Sequence, residues 1–375
     1  MTIRAVVKTA SGARYGSRSA HLLQVLRSLA CIGFGVSFSI GCSNPETLGM
    51  SALSVVSAGV INDPSNKTLR FELLEFGLER FCVEMRRRGA PIKLSDHEPV
   101  LGRFFADSCH TQIIDQSDRQ SVVLRYSGRG YGWTNVTERL GFASTGLVEY
   151  AVDFQRHDES MYIYFRPRSV GGATFQTLLI ESPAAQVGLG LSGIDAEAIG
   201  KDIITRQLER GFTVIRHSER GEVEFSPGLI PPGQRPFRPF EVRNSDKLTL
   251  DNDRTELHVG QQDFIGGLFT ADDDARLFLN LSLDGAPAVD VFVVPEIDGQ
   301  TLTQAYVTQK GGAHLPRAPL LEADLVAGQP RQLSVNVPAG NYFLIFDHSA
   351  GVGRTNPLPG EQAAKIDYLV QVGER

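Results

Sequence analysis

The chain reads as an α+β N-terminal domain, an antiparallel meander with two helices, followed by an all-β sandwich domain. Three observations predict this. Between residues 66 and 225, two segments with helically spaced apolar residues are interspersed with runs rich in β-branched and aromatic residues. Residues 226–241 (SPGLIPPGQRPFRPFE) hold five prolines and read as an extended linker or a strap across a surface. From about 242 onward nearly every apolar run has strand length, and Asp, Gly, Pro and Asn turns separate the runs at sandwich spacing.

The first helix is expected over 67–88, where Leu69, Leu73, Phe76, Leu78, Phe81 and Met85 recur at helical spacing. Arg86, Arg87 and Arg88 form a basic last turn that complements the helix dipole, and Gly89 is suited to the C′ position. Strands are expected in succession at 121–126 (SVVLRY), 147–154 (LVEYAVDF), 161–166 (MYIYFR) and 174–181 (TFQTLLIE). The turn His157-Asp158-Glu159-Ser160 joins the second to the third, which makes the arrangement an antiparallel meander. In MYIYFR, Met161, Ile163 and Phe165 face one way, and Tyr162, Tyr164 and Arg166 the other. A Gly/Ser/Ala-rich loop at 183–193 precedes a second helix over 195–210, with Ile199, Ile203, Ile204 and Leu208 on one side, Asp195 as N-cap and Gly211 as C′ residue. Strands follow at 212–215 and 222–225. Beyond the linker they are expected at 247–250, 256–259, 275–283, 288–294, 332–337 and 342–346.

The N-terminus carries an address. Residues 1–27 hold Arg4, Lys8, Arg14, Arg18 and Arg27 and no acid, and 28–41 (SLACIGFGVSFSIG) are uncharged. This is the export pattern, and the apolar run is shorter than the roughly 20 residues a spanning helix needs. Its end, Ser39-Ile40-Gly41-Cys42, resembles the bacterial lipobox, with Ser39 standing where the family usually has Leu. The resemblance implies cleavage before Cys42, acylation of its thiol with chains such as palmitate, and, with Ser rather than Asp at 43, sorting to the outer membrane, facing the periplasm or the cell surface. Cys31 is a rival acceptor with a poorer apolar stretch, interrupted by Arg27. The layout is therefore a signal peptide over 1–41, a lipidated tether over 42–65, an α+β domain over 66–225, the linker, and a β-sandwich domain over 242–375. Several acyl chains make a stable anchor without any other membrane-binding surface.

Composition narrows the partners. The formal net charge is −6, and loss of the five N-terminal cations makes the mature chain more acidic still. No basic field remains to attract a phosphate backbone, so nucleic acid is not an expected partner. After Cys42 only Cys82 and Cys109 remain, an even pair that reads as a disulfide in an exported chain. Residues 337–347 (VPAGNYFLIFD) resemble the final hairpin of secreted accessory β-sandwich modules of the pre-peptidase C-terminal type. That resemblance implies a binding or spacer module, with Gly340 serving the turn and Tyr342 the inter-sheet core.

No catalytic set, cofactor motif or metal pattern stands out. The histidines of the mature chain form no HExxH pattern. His348, between Asp347 and Ser349, reads as an ordinary strand-end turn, since a triad is assembled in space and not by adjacency. Gly128-Arg129-Gly130-Tyr131-Gly132-Trp133 reads as a tight turn presenting Tyr131 and the only tryptophan, Trp133, as a partner or ligand contact. Asp251-Asn252-Asp253 and Asp272-Asp273-Asp274 read as solvated acidic loops. Glu149 and Asp153 share a strand face about 13 Å apart, too far for glycoside chemistry, and Glu181 is unplaced relative to them. The leading expectation is a non-enzymatic envelope lipoprotein acting as a scaffold or binding protein for an envelope partner. The alternative is a carrier of a hydrophobic ligand, decided by whether both faces of MYIYFR are covered, and less favoured is a cell-envelope hydrolase.

Overall fold

A seven-stranded antiparallel meander dominates the first half of the computed structural model, which describes residues 58–63, 65–116, 119–135, 137–184, 196–217, 223–242, 246–310, 314–315 and 317–374. Cys42, Cys31 and Asp195 lie outside the described residues. The fold is mixed α/β, with several β-sheets and few helices. The meander strands follow in chain order: β1 (Ala90–Ile92), β2 (Gly102–Gln116), β3 (Arg119–Thr134), β4 (Glu138–His157), β5 (Ser160–Ile180), β6 (Phe212–His217) and β7 (Val223–Pro227). The 20 residues of β4 span about 65 Å, several times an ordinary strand. The helices beside it are α1 (Ala58–Asn62), α2 (Lys67–Arg88) and α3 (Ala196–Glu209). As expected, α2 and α3 are followed by glycines with positive φ, Gly89 at 74° and Gly211 at 66°.

Both longer helices pack on one face of the meander, and small residues make room for them. Phe104, Gly130 and Phe142 are cross-strand partners on β2, β3 and β4. A Cβ at Gly130 would lie 2.7 Å from the Phe142 ring, so the glycine is what lets Phe104 and Phe142 stack. Phe142 stacks in turn on Phe175, against which Gly200 of α3 sits. On the same face, Cys109 of β2 is disulfide-bonded to Cys82 of α2. Closing this 27-residue separation stabilises the fold by about 3–4 kcal/mol in the loop-entropy picture. The stripe that α2 buries is Arg70, Leu74, Leu78 and Cys82. Arg70 occupies a core position because its guanidinium donates to Asp153 and to the carbonyls of Ile61 and Phe154.

Two sequence expectations about the meander are corrected here. Residues 161–166 and 174–181 are one strand, β5, not two. Gly172, at φ 58°, absorbs the extra residues as a register shift against Thr145 and Leu147, so no chain reversal is needed. Residues 128–133 are not a tight turn but part of β3, paired on both sides; Gly128 and Gly130 admit neighbouring backbone and rings. After β7 the strap over 228–242 runs without helix or strand. It is held by Tyr162, whose hydroxyl donates to the Gln234 carbonyl, and by Asp96, which accepts from Phe237 N–H.

Two four-stranded sheets form the second half, from β8 (Leu248–Leu257), β9 (Gln261–Thr270), β10 (Arg276–Asp284), β11 (Ala288–Pro295), β12 (Leu321–Val326), β13 (Arg331–Asn336), β14 (Gly340–His348) and β15 (Ala364–Gly373). Their orders are β13-β10-β15-β8 and β12-β11-β14-β9. Leu277, Leu279 and Leu281 of the first sheet and Val291, Val293 and Phe346 of the second belong to one apolar core. The expected strands at 247–250 and 256–259 are the two ends of β8, so Asp251, Asn252 and Asp253 lie in a strand and not in a loop. The all-strand reading missed helix α4 (Glu296–Thr308), which follows Pro295 and carries Glu296 and Asp298 in its first turn. Residues 337–347 are not a hairpin: β13 pairs with β10 in one sheet and β14 with β9 and β11 in the other, so this segment crosses between sheets. Tyr342 does enter the inter-sheet core, and its hydroxyl donates to the Pro338 carbonyl at 2.7 Å.

The meander and the paired sheets meet through backbone as well as side chains. Val100 bridges β8, donating to the Arg254 carbonyl and accepting from Glu256 N–H. Gly266 and Gly267 of β9 admit the last turn of α2, where Arg88 donates to the Leu250 carbonyl at 2.8 Å. Arg88 is thus a latch, where the sequence suggested only a solvated turn. Ser57–Arg375 forms one compact unit.

Candidate functional site at the sheet junction

The second face of the meander presents Arg103, Tyr131, Trp133 and Arg139, placed by pairing: Arg103 opposite Tyr131 on β2 and β3, and Trp133 opposite Arg139 on β3 and β4. The paired sheets close over the first half of this row. Arg103 makes two hydrogen bonds to Asp263, at 2.8 and 3.0 Å, and a third to the Tyr368 hydroxyl at 3.1 Å. Tyr131 donates to Asp263 at 2.7 Å and accepts from Phe264 N–H. Lys93 pairs with Asp253 at 2.6 Å, and Tyr368 reaches Asp251 at 3.4 Å. Three carboxylates, of which Asp263 is fully buried, therefore meet two buried cations. Such a cluster is tolerable because Asp263 and Asp253 each meet a cation and Asp251, only partly buried, accepts from Tyr368.

The electrostatics follow from burial. Burial and then the Asp263 charge push the Tyr131 hydroxyl well above its ordinary value, and burial and then Asp251 do the same to Tyr368. Both phenols stay neutral donors. Burial raises Asp253 to about 6 in spite of Lys93. One step along, Arg139 pairs with Glu181 at 2.8 Å, donates to the carbonyls of Tyr306 and Gln309, and lies 4.1 Å over the Tyr306 ring.

A crevice opens where Gly102, Trp133, Arg139, Glu256 and Gln261 come together, with an empty volume of about 240 Å³ including its mouth. At the crevice, Trp133 stacks flat on His258, with centroids 3.4 Å apart and planes 5° apart. The His258 ring reaches Glu256 at 3.2 Å, and that hydrogen bond holds the Glu256 carboxyl below the usual range.

The residues singled out from sequence do not converge. Tyr131 is 4 % exposed, which overturns its reading as a surface contact: it belongs to the ionic core of the junction. Trp133 is half-buried beneath His258. The three acids considered for hydrolysis are separately engaged, Asp153 with Arg70, Glu181 with Arg139 and Glu149 with Arg168. Asp347, His348 and Ser349 are all buried but point to different partners. Asp347 accepts from Ser349 N–H and Gln262, while His348 turns to the Leu257 carbonyl and Glu361. Asp273, in an acidic turn, accepts from Ala339 N–H. MYIYFR is covered on both faces: Tyr162 and Tyr164 pack with Ile215 beneath the strap, and Phe165 stacks on Phe212. Sequence reasoning missed Arg103, Asp263 and Asp290. Asp290 is fully buried, stands opposite Asp347, and accepts from Arg354 N–H and from Thr355. A charged residue inside an apolar strand run was the available signal, because such residues are almost never buried unless paired. No family model matches the chain, and no curated protein shows significant similarity to it.

Proposed function

We propose that the chain is a non-enzymatic, lipid-anchored envelope protein: a scaffold or binding protein whose α+β part carries a C-terminal β-sandwich module. The observation that carries this reading is the junction itself. Its buried charges are engaged with one another, which ties the meander to the paired sheets as a stiff body. The Cys82–Cys109 bridge supports an oxidising compartment, and the Cys42 lipobox supplies the anchor. The carrier reading loses its locus, since the strand meant to line a cavity is packed on both sides.

The partner-facing element we assign is the outer edge of β13, with Gln332, Ser334 and Asn336 exposed along it. The test uses a bacterial host with lipoprotein processing. Radiolabelled palmitate is expected on the wild-type chain and on Cys31→Ser, but not on Cys42→Ser. A photo-crosslinking residue at Gln332 or Ser334 is expected to trap one discrete envelope protein. Label retained by Cys42→Ser refutes the anchor, and no adduct from either position refutes the scaffold reading.

A further inference from the structure

The second face of the meander is covered by the paired sheets only near Arg103, Tyr131 and Arg139. Farther along the same strands Arg125, Arg129, Thr145 and Thr174 are exposed and Ser108 and Ser127 half-buried, before the face closes again at Val123. Ser108, Ser127, Thr145 and Thr174 are consecutive cross-strand partners on β2, β3, β4 and β5. They form one row of hydroxyls at the strand spacing of about 4.8 Å. Ser108 and Ser127 are 2.7 Å apart, and Thr145 and Thr174 2.6 Å. Each of those bonds uses one hydroxyl proton of its pair, which leaves the other proton and further lone pairs directed outward.

Cations flank this row. Arg125 and His110 are partners in the next row on the same face, and Arg129 stands in the row before it; all three are exposed. Arg166 and Arg168 are exposed on β5. The acids beside them are Asp107, 3.6 Å from Arg129, and Glu149, 3.9 Å from Arg168. Four guanidinium groups thus face these two carboxylates and Asp153, which Arg70 already engages, on a chain whose net charge is −6. Relief is low on the β5 side, where Gly171 has nothing within 4 Å of the position a Cβ would take.

We infer that this open half of the face is a binding surface for an anionic polysaccharide. Guanidinium groups pair with carboxylates through two parallel hydrogen bonds, and a hydroxyl row offers donors and acceptors to sugar hydroxyls. Protein-docking patches centre on aromatic anchors, whereas the apolar side chain in the row of Arg125 is Leu147, itself half-buried. The inference rests on the binding-protein reading above and names a partner class for it.

The experiment is affinity electrophoresis of the full chain, exported and processed, through gels containing polygalacturonate or neutral dextran. Retardation by polygalacturonate is expected, weakening with added salt because exposed charges are screened. The double variant Arg125→Glu/Arg129→Glu should bind at least about ten-fold more weakly, since like charges then face the ligand. Thr145→Val/Thr174→Val should lose about three-fold, a fraction of a charge-assisted contact. Unchanged thermal unfolding checks that the variants are folded. No retardation by polygalacturonate, equal retardation by dextran, or equal binding of the double-Glu variant each overturns the inference. So does binding to phosphatidylglycerol vesicles but not to polygalacturonate, which would make the face a membrane contact. The β13 cross-link does not involve this face, so a persistent adduct without polysaccharide binding removes this inference and leaves the scaffold reading in place.

Discussion

Arg103 and Arg129 lie on neighbouring strands and on the same face of one sheet, yet their side chains are 3 % and 46 % exposed. Nothing in the local sequence separates them: both follow a glycine in a run of small and aromatic residues. What differs is whether β9 arrives with a carboxylate. At the junction, Asp263 compensates a buried guanidinium that would otherwise cost several kcal/mol. Two residues from Tyr131 along β3, Arg129 has exposed Asp107 at 3.6 Å and water around it, at little cost. One face thus serves as a structural joint at one end and as a solvated surface at the other.

The largest test of that contrast removes the compensating charge. Asp263→Ala leaves Arg103 unpaired and the Tyr131 hydroxyl without its acceptor, and should cost about 3–5 kcal/mol in denaturant unfolding. Arg129→Ser should stay within about 0.5 kcal/mol. If the two substitutions cost the same, the joint is not held by its ion pair. Replacing both partners, as Arg103→Met with Asp263→Leu, should recover most of the loss.

The disulfide comes next. Cys82→Ser should lower stability by about 3–4 kcal/mol through the freed 27-residue loop, with reduction of the wild type giving the same shift. A loss well below 1 kcal/mol would mean that α2 is held by Leu74, Leu78 and Arg70 without help.

The smallest effect concerns the paired sheets and sets their buried acids against those of the joint. Burial raises Asp347 to about 6 from an ordinary 3.8, with Gln262 and Ser349 opposing the rise and Asp290 adding to it. Because the folded value is the higher one, protonation favours the fold. The stability is present in acid and is lost as pH rises through about 6. Asp347→Asn should therefore flatten the profile and raise stability at pH 8 by about 1–2 kcal/mol, after the loss of one acceptor is counted. A variant with the same slope between pH 5 and pH 8 as the parent would assign the dependence to Asp253 instead.

Much of the fold was legible because it rests on local rules. Helix α2 with Gly89, helix α3 with Gly211, the two-residue turn at Asp158 and Glu159, and the order of the meander follow from periodicity and turn chemistry. The failures share one cause: glycine and charge have two uses, and sequence shows only the residue. Residues 161–166 and 174–181 read as two strands, and Gly172 instead serves a register shift within the single strand β5. Gly128, Gly130 and Gly132 suggested a turn and instead sit within a strand, where Gly130 leaves room for an aromatic stack. Asp251 and Asp253 looked like loop acids and line a buried joint. Helix α4 was hidden because Gly299 and three threonines are poor helix formers and Asp298, Gly299 and Thr303 interrupt its apolar face, although Pro295 and Glu296 marked its start.

By itself, the sequence determined the uncharged run before Cys42, the one cysteine pair after it, the position of both longer N-terminal helices and the strands at 121–126, 147–154, 275–283 and 288–294, because each depends on residues close together in the chain. Only the tertiary structure decided which arginines are buried, which carboxylates meet them and where the meander's second face is left open. Those outcomes depend on partners such as Arg103 and Asp263, 160 positions apart in sequence, and the cost of burying a charge is fixed by the partner that arrives and not by the residue that carries it.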